Sequence, residues 1–249
     1  MSHRTGRRWW SALLFVVPGL LLVAVAAFIV WASMPLGPAP EALIAMKSAD
    51  GIEVTETDIG LCFDPGMDRT GDGLVFYPGG RVDYRSYAPL ARRLAQDGTV
   101  VIIVRMPLSL AVFGSGGAED AIASDPDVER WFLAGHSLGG AMACVYADKD
   151  PDAIRGLGLL ASYPPDSSDL SDSGLRVVSI LGSEDGGDRE KWESAKRLLP
   201  ADTVFLEPEG ANHAQFGAYG PQPGDGVATI SAGEQLELTV TALESLFAR

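Results

Sequence analysis

The sequence predicts an α/β fold with a mostly parallel central sheet and helices on both faces of that sheet. Strand-like apolar runs alternate with helical runs along the chain, an order typical of β-α-β units. The run Val100–Val104 is β-branched throughout, as expected of a strand that is covered on both faces. A serine stands between glycines where another such run gives way to a helical segment, Gly135–Gly140. The 249 residues suffice for one domain with a short N-terminal extension.

The elements follow in a regular order. Leu43–Phe63 contains short runs interrupted by Asp50-Gly51 and Gly60, which predicts antiparallel edge strands. Only residues 162–174 separate the strand after the serine from the next one. Strands are predicted at Gly73–Tyr77, Val100–Val104, Trp131–Ala134, Gly156–Ala161, Leu175–Leu181 and Thr203–Leu206, and helices at Tyr87–Gln96, from Leu138, at Asp188–Leu199 and at Glu234–Phe247.

The segment GHSLGG, residues 135–140, has the pattern of a sharp strand-to-helix turn that carries a nucleophile. Such a turn holds Ser137 in a strained backbone conformation and leaves no room for side chains two residues before and after it, hence Gly135 and Gly139. The helix that begins at Leu138 directs free N–H groups at the same place, which favours negative charge there. Ser137 is therefore the candidate nucleophile.

A serine nucleophile needs a base, and a histidine usually supplies it. Of the three histidines in the chain, His3 precedes an apolar segment and His136 leaves the strand on the side opposite Ser137. His213 lies in a loop after the strand-like run Val204–Leu206, from which its ring could reach the sheet edge. His213 is thus the candidate base, although a loop histidine is often only a surface residue.

The acid that orients the base should end a strand between the serine and the histidine. The apolar run Leu175–Leu181 is followed by Gly182–Gly186, which contains both Glu184 and Asp185. Either carboxylate could fill the role from this position, and a solvated turn is the alternative reading of the segment.

The site also needs backbone donors for the oxygen that becomes negative in the reaction. The segment Pro78–Arg81 follows the predicted strand Gly73–Tyr77 directly, and its paired glycines permit a close backbone approach. Gly80 or Arg81, together with Leu138, would supply these N–H groups. A simple tight turn is the alternative.

These motifs together resemble the α/β-hydrolase superfamily, and in particular its small, lid-poor members akin to dienelactone hydrolases and carboxylesterases. The resemblance extends from about Gly73 to the C-terminus and implies Ser137 as nucleophile, Asp185 as orienting acid and His213 as base. Lid domains of this superfamily usually enter between the strand after the serine and the strand before the acid. Because only residues 162–174 lie there, the resemblance implies that no cap domain is present. One departure is that dienelactone hydrolases proper use cysteine at the nucleophile position, which favours ordinary ester hydrolysis here. The segments that carry the resemblance are Tyr77–Asp83, Gly135–Gly140, Gly182–Gly186 and Gly210–Gly217.

A long apolar segment precedes the domain. Trp9–Met34 contains no charged residue, and Ala12–Ala32 as a helix would extend about 32 Å, close to the hydrocarbon thickness of a bilayer. The flank after it has no cation before Lys47. The segment therefore predicts a transmembrane helix with a cytoplasmic N-terminus and an extracytoplasmic enzyme, because cations precede it at Arg4, Arg7 and Arg8.

A cleaved signal peptide is the alternative, with Val30–Ala32 as a possible cleavage site and a secreted enzyme as the result. The expected organisation is an anchor or signal peptide over residues 1–34, a stiff linker over 35–41 and the hydrolase domain over 42–249.

The composition limits the partners. The net charge of −14 disfavours nucleic acid or anionic lipid headgroups as ligands of the domain. No cluster of cysteine and histidine has metal-ligand spacing and no phosphate-binding loop is present, so neither metal nor cofactor is expected. Whether Cys62 and Cys144 form a disulfide stays open.

The predicted function is that of a serine hydrolase that cleaves a small carboxylic ester or thioester through an acyl-enzyme on Ser137. Two alternatives remain at the level of the sequence. The same triad would serve an acyltransferase or a peptidase, and a catalytically silent hydrolase fold could act as a binding protein.

Overall fold

The structure is a computed structural model that describes residues 6–248, with side chains described from Val16 onward inside the first helix. Its centre is one eight-stranded sheet with the strand order β1-β2-β4-β3-β5-β6-β7-β8. The pairs β1–β2 and β2–β4 are antiparallel, and the other neighbours are parallel. The strands are β1 Glu53–Glu56, β2 Gly60–Asp64, β3 Asp72–Tyr77, β4 Val100–Val104, β5 Arg130–His136, β6 Gly156–Leu160, β7 Arg176–Ile180 and β8 Val204–Leu206.

Seven helices accompany the sheet in the described chain. They are α1 Gly6–Ala32, α2 Pro40–Ala45, α3 Ala88–Gln96, α4 Gly117–Ser124, α5 Leu138–Lys149, α6 Arg189–Ala195 and α7 Ala232–Phe247. Two buried clusters lie on the two faces of the sheet: α3 and α7 contribute to one, and α4 and α5 to the other. The predicted α/β-hydrolase fold, with its mostly parallel sheet and helices on both faces, is confirmed.

Two helices of the domain, α2 and α4, are not among the predicted elements. The part of Leu43–Phe63 before residue 46 lies in helix α2, because Pro40 at its first turn fixes a helical backbone angle and Glu41 favours the same turn. The short helix α4 has no counterpart in the prediction. Between β6 and β7, residues 161–175 contain neither helix nor strand in the described chain, in line with the expected lack of a cap.

The register of the parallel strands brings several strand ends to one edge. Tyr77 at the end of β3 is paired with Gly135 near the end of β5, and Leu160 of β6 is paired with both His136 and Ile180. The loops that follow these strands therefore begin side by side. This edge carries the predicted site residues.

The N-terminal helix differs from the expectation. In the described part of the chain, no helix is both long enough and apolar enough to cross a membrane. The predicted transmembrane helix at Ala12–Ala32 is therefore wrong, and the membrane partner that depended on it has no support. His3 and Arg4 lie outside the described residues, as do the side chains of Arg7 and Arg8.

Candidate active site

Ser137 lies at the junction of β5 and α5 with φ 52° and ψ −123°, a conformation that side chains rarely adopt. The neighbouring positions must be glycine because a side chain there would collide with the backbone. A Cβ at Gly135 would lie 2.6 Å from the Gly139 carbonyl carbon, and a Cβ at Gly139 would lie 2.2 Å from the Tyr77 oxygen. The backbone N–H of Ser137 donates to the Leu160 carbonyl at 2.9 Å, which fixes the turn to the sheet. The turn thus projects the serine at the N-terminus of α5, as the sequence pattern predicts.

His213 and Asp185 meet at the same edge. The His213 Nδ1 atom lies 2.9 Å from Asp185 Oδ2, and the Asp185 side chain is only 2% exposed. Since a carboxylate only accepts, Nδ1 carries the proton and Nε2 is left as the basic atom. The Asp185 carboxylate also accepts the Gly187 N–H at 2.7 Å, which fixes its orientation. Glu184 accepts from the Ser183 hydroxyl instead, at 3.0 Å.

The segment that carries His213 is held by a carboxylate that the sequence did not single out. The Asp225 side chain accepts four backbone N–H groups, those of Gly186, His213, Ala214 and Gly226, at 2.8–3.2 Å. It therefore joins the loop of the acid to the loop of the base. No local pattern marks Asp225, because its partners come together only after the loop 217–228 has folded back.

Ser137 and His213 line one cavity of about 480 Å³, together with Gly80, Arg81 and Leu138. In the described residues, no hydrogen bond joins Ser137 Oγ to His213. Such a bond often forms only when a substrate is bound. The structure thus brings all six predicted site residues to one edge, five of them around this cavity and Asp185 behind His213.

The expected backbone donors are not equivalent. The Arg81 N–H donates to the Ser109 carbonyl at 2.7 Å, so it is not free to bind a substrate oxygen. A Cβ placed on Gly80 would lie 3.0 Å from Leu138 Cδ2, which shows how closely Gly80 approaches the start of α5. Of the three residues expected to supply donors, Gly80 and Leu138 therefore remain the candidates, and they lie close to each other in space.

A buried tyrosine and a buried histidine contact the loop that contains Gly79 and Gly80. Tyr87 Oη accepts the Gly79 N–H at 2.9 Å and lies 2.8 Å from His136 Nδ1. Burial raises the pKa of Tyr87 well above its ordinary value, so its hydroxyl keeps its proton and donates it to Nδ1. His136 is fully buried, and its ring centre lies 4.6 Å from that of His213. Burial, together with the neighbouring His213, holds the pKa of His136 well below its ordinary value.

The end of the N-terminal helix forms part of the same cavity. Trp31 and Leu36 line it, although the sequence predicts a transmembrane segment for Trp31 and a linker for Leu36. The Arg81 guanidinium lies 4.2 Å from the Trp31 ring centre and donates to the carbonyls of Trp31 and Met34 at 3.2 and 2.8 Å. The Leu36 N–H donates to the Arg81 carbonyl at 2.7 Å. Arg81 therefore joins the N-terminal segment to the loop after β3.

Residues 6–248 contain no group of three or more His, Cys, Asp or Glu side chains that could hold a metal ion. Cys62 and Cys144 are both free thiols, and burial raises the pKa of Cys62 to about 11.

The chain belongs to the alpha/beta hydrolase family, because residues 73–237 match the model of that family. This confirms the resemblance drawn from the motifs, and the chain is a hydrolase of that fold. A search of curated proteins finds no match.

Solved structures share the fold at low sequence identity. A dienelactone hydrolase from Anabaena variabilis is 16% identical, with a TM-score of 0.61, over 79% of this chain and 99% of its own. A CIB-like hydrolase from Thermoplasma acidophilum is 17% identical, with a TM-score of 0.57, over 79% of this chain and 100% of its own. A membrane phospholipase A is 13% identical, with a TM-score of 0.57, over 97% of this chain and 96% of its own.

Proposed function

We propose that this protein is a serine hydrolase that cleaves a small carboxylic ester or thioester through an acyl-enzyme on Ser137. The observation that carries the proposal is the hydrogen bond between His213 Nδ1 and Asp185 Oδ2, made by an imidazole that shares a cavity with Ser137. This tautomer leaves Nε2 of His213 free to accept a proton, and the strained turn exposes the hydroxyl of Ser137 in the same cavity; a serine hydrolase needs both features. The family assignment agrees with hydrolysis.

In the first half of the reaction, Ser137 Oγ attacks the carbonyl carbon of the ester, and His213 Nε2 takes the hydroxyl proton. Asp185 stabilises the resulting imidazolium through the proton on Nδ1. The N–H groups of Gly80 and Leu138 donate to the carbonyl oxygen as it becomes negative. The C–O bond to the alcohol then breaks, and the departing oxygen receives the proton from His213.

In the second half, a water molecule attacks the acyl-enzyme. His213 Nε2 takes one proton from this water and returns it to Ser137 Oγ as the acyl bond breaks. The products are the free acid and the regenerated hydroxyl. The thioester case differs only in the leaving group, which is a thiol.

The test combines active-site labelling with turnover. The full chain would be treated with a fluorophosphonate probe and, separately, with the p-nitrophenyl esters of acetate, butyrate and octanoate. Ser137→Ala should abolish labelling, and both Ser137→Ala and His213→Ala should lower kcat/KM at least about 1000-fold, the range seen for triad deletions. Ser194→Ala, at an exposed serine of α6, is the matched control and should label and turn over as the wild type does.

A folded wild-type protein that neither labels nor hydrolyses any of these esters would refute the proposal. Labelling that persists in Ser137→Ala would assign the nucleophile to another residue and would refute it as well.

A further inference from the structure

A second and larger cavity lies behind the segment that carries His213. Its volume is about 660 Å³, within the range of small-molecule sites. Its walls are the start of α3, the start of α7, residues 212–218 and the loop that follows them. The only residue that it shares with the catalytic cavity is Gln222. The larger apolar side chains in its wall are Tyr87, Pro89, Leu90, Phe216, Val227 and Leu236.

Two residues of this cavity wall each carry a buried side-chain oxygen that lacks a hydrogen-bond partner in the described chain. Among the described residues, only three buried side-chain polar atoms lack a hydrogen-bond partner, and two of them are Ser86 Oγ and Gln215 Oε1. Both residues line the cavity. An amide oxygen only accepts, and a buried oxygen without a partner costs about 1–3 kcal/mol, so a ligand hydroxyl that reaches either side chain would be favoured.

The charges around the cavity disfavour an anion. Its lining contains two carboxylates, Glu41 and Asp225, and no lysine, arginine or histidine. Asp225 already accepts four backbone N–H groups, and Glu41 is exposed at the edge of the cavity. The whole chain carries a net charge of −14, which adds to the repulsion.

We propose that this cavity binds an uncharged amphiphile, a molecule with an aliphatic body and a hydroxyl group, at a site separate from the catalytic cavity. The aliphatic body packs on Leu90, Phe216 and Leu236, and the hydroxyl bonds to the side chains of Ser86 or Gln215. The occupant also contacts residues that hold His213 in place, because Asn212, Ala214 and Asp225 belong to the same wall. The proposal does not depend on the ester hydrolysis described above.

The test uses the full chain as the Ser137→Ala variant, with 1-octanol as the probe and octanoate as its anionic counterpart. Hydrogen–deuterium exchange followed by mass spectrometry should show slower exchange over residues 212–228 and the start of α7 when 1-octanol is added. We expect exchange there to slow at least about threefold, since an occupant opposes local opening. Octanoate at the same concentration should leave the exchange unchanged.

Two variants on one helix separate this cavity from other apolar surfaces. Leu236→Trp enlarges a side chain in the cavity wall and should abolish the protection by 1-octanol. Leu238→Trp makes the same change two positions along α7, at a residue that is 48% exposed and does not line the cavity, and should leave the protection intact. If Leu236→Trp does not fold, Ala228→Trp in the loop wall replaces it.

Three results would overturn the proposal: no protection by 1-octanol, equal protection by octanoate, or protection that survives Leu236→Trp. The first would show that no uncharged amphiphile binds there. The second would refute the inference from charge, and the third would locate the ligand elsewhere.

Discussion

Acidification should destabilise this protein through His136, and the reason lies in its burial. The His136 ring is fully buried, and Nδ1 accepts from the Tyr87 hydroxyl, which itself accepts the Gly79 N–H. A proton on Nδ1 would replace the hydrogen bond that Nδ1 accepts from this hydroxyl. It would also place a positive charge on a ring whose centre lies 4.6 Å from that of the His213 ring. The folded protein therefore keeps His136 neutral, and the pKa of His136 is lowered well below its ordinary value.

The sign of the effect follows from proton counting. The unfolded chain binds a proton at His136 near pH 6.5, whereas the folded protein does not, so stability falls as the pH drops below that value. At pH 5.5, one unit lower, the unfolded state gains about 1.4 kcal/mol from this single site, and at pH 8 it gains almost nothing. The loss ends only when the pH reaches the lowered pKa of the folded state.

The assay is urea unfolding of the wild type and of His136→Gln at pH 8 and pH 5.5. The glutamine carbonyl can accept from Tyr87 but does not titrate, so the variant should lose about 1.4 kcal/mol less than the wild type between the two pH values. Any contribution from His213 is present in both proteins and cancels. Equal losses in the two proteins would refute the assignment of His136 as a buried neutral histidine.

Two further predictions concern residues around the catalytic cavity. Asp225→Ala removes the acceptor of four N–H groups, so it should lower kcat at least about tenfold and should also lower the melting temperature. Asp152→Ala, at an exposed aspartate, is the control and should change neither quantity. An unchanged kcat in Asp225→Ala would contradict the role given to Asp225. Arg81→Lys keeps the charge but loses the fork that holds Trp31 and Met34, so KM for the butyrate ester should rise about three- to tenfold with kcat little changed. An equal fall in kcat would instead place Arg81 in the chemistry.

Much of the fold and of the candidate site could be predicted because the patterns involved are local. The run Val100–Val104 is a strand with the predicted bounds, since a continuous β-branched run is suited to a buried strand and to little else. The glycines around Ser137 are demanded by contacts within the turn itself. The sequence leaves both Asp185 and Glu184 open as the carboxylate that contacts the histidine, and in the structure it is Asp185 that contacts His213.

Other features depend on information that a local sequence pattern lacks. The apolar content of Ala12–Ala32 predicts a transmembrane helix, but no helix in the described part of the chain is both long enough and apolar enough to cross a membrane. The N–H of Arg81, which the sequence offers as an alternative donor to that of Gly80, donates to the carbonyl of Ser109, a residue outside its own loop. The Arg81 contact depends on which residues lie next to the loop in space.

Local sequence suffices to predict the class of fold and the strained turn at Ser137, because each is encoded by neighbouring residues along the chain. Only the tertiary structure decided that Asp225 holds the two loops together, that Tyr87 links Gly79 to His136, and that Trp31 lines the catalytic cavity. The physical reason is that these contacts join residues far apart in sequence, and their geometry follows from how loops pack on the finished sheet.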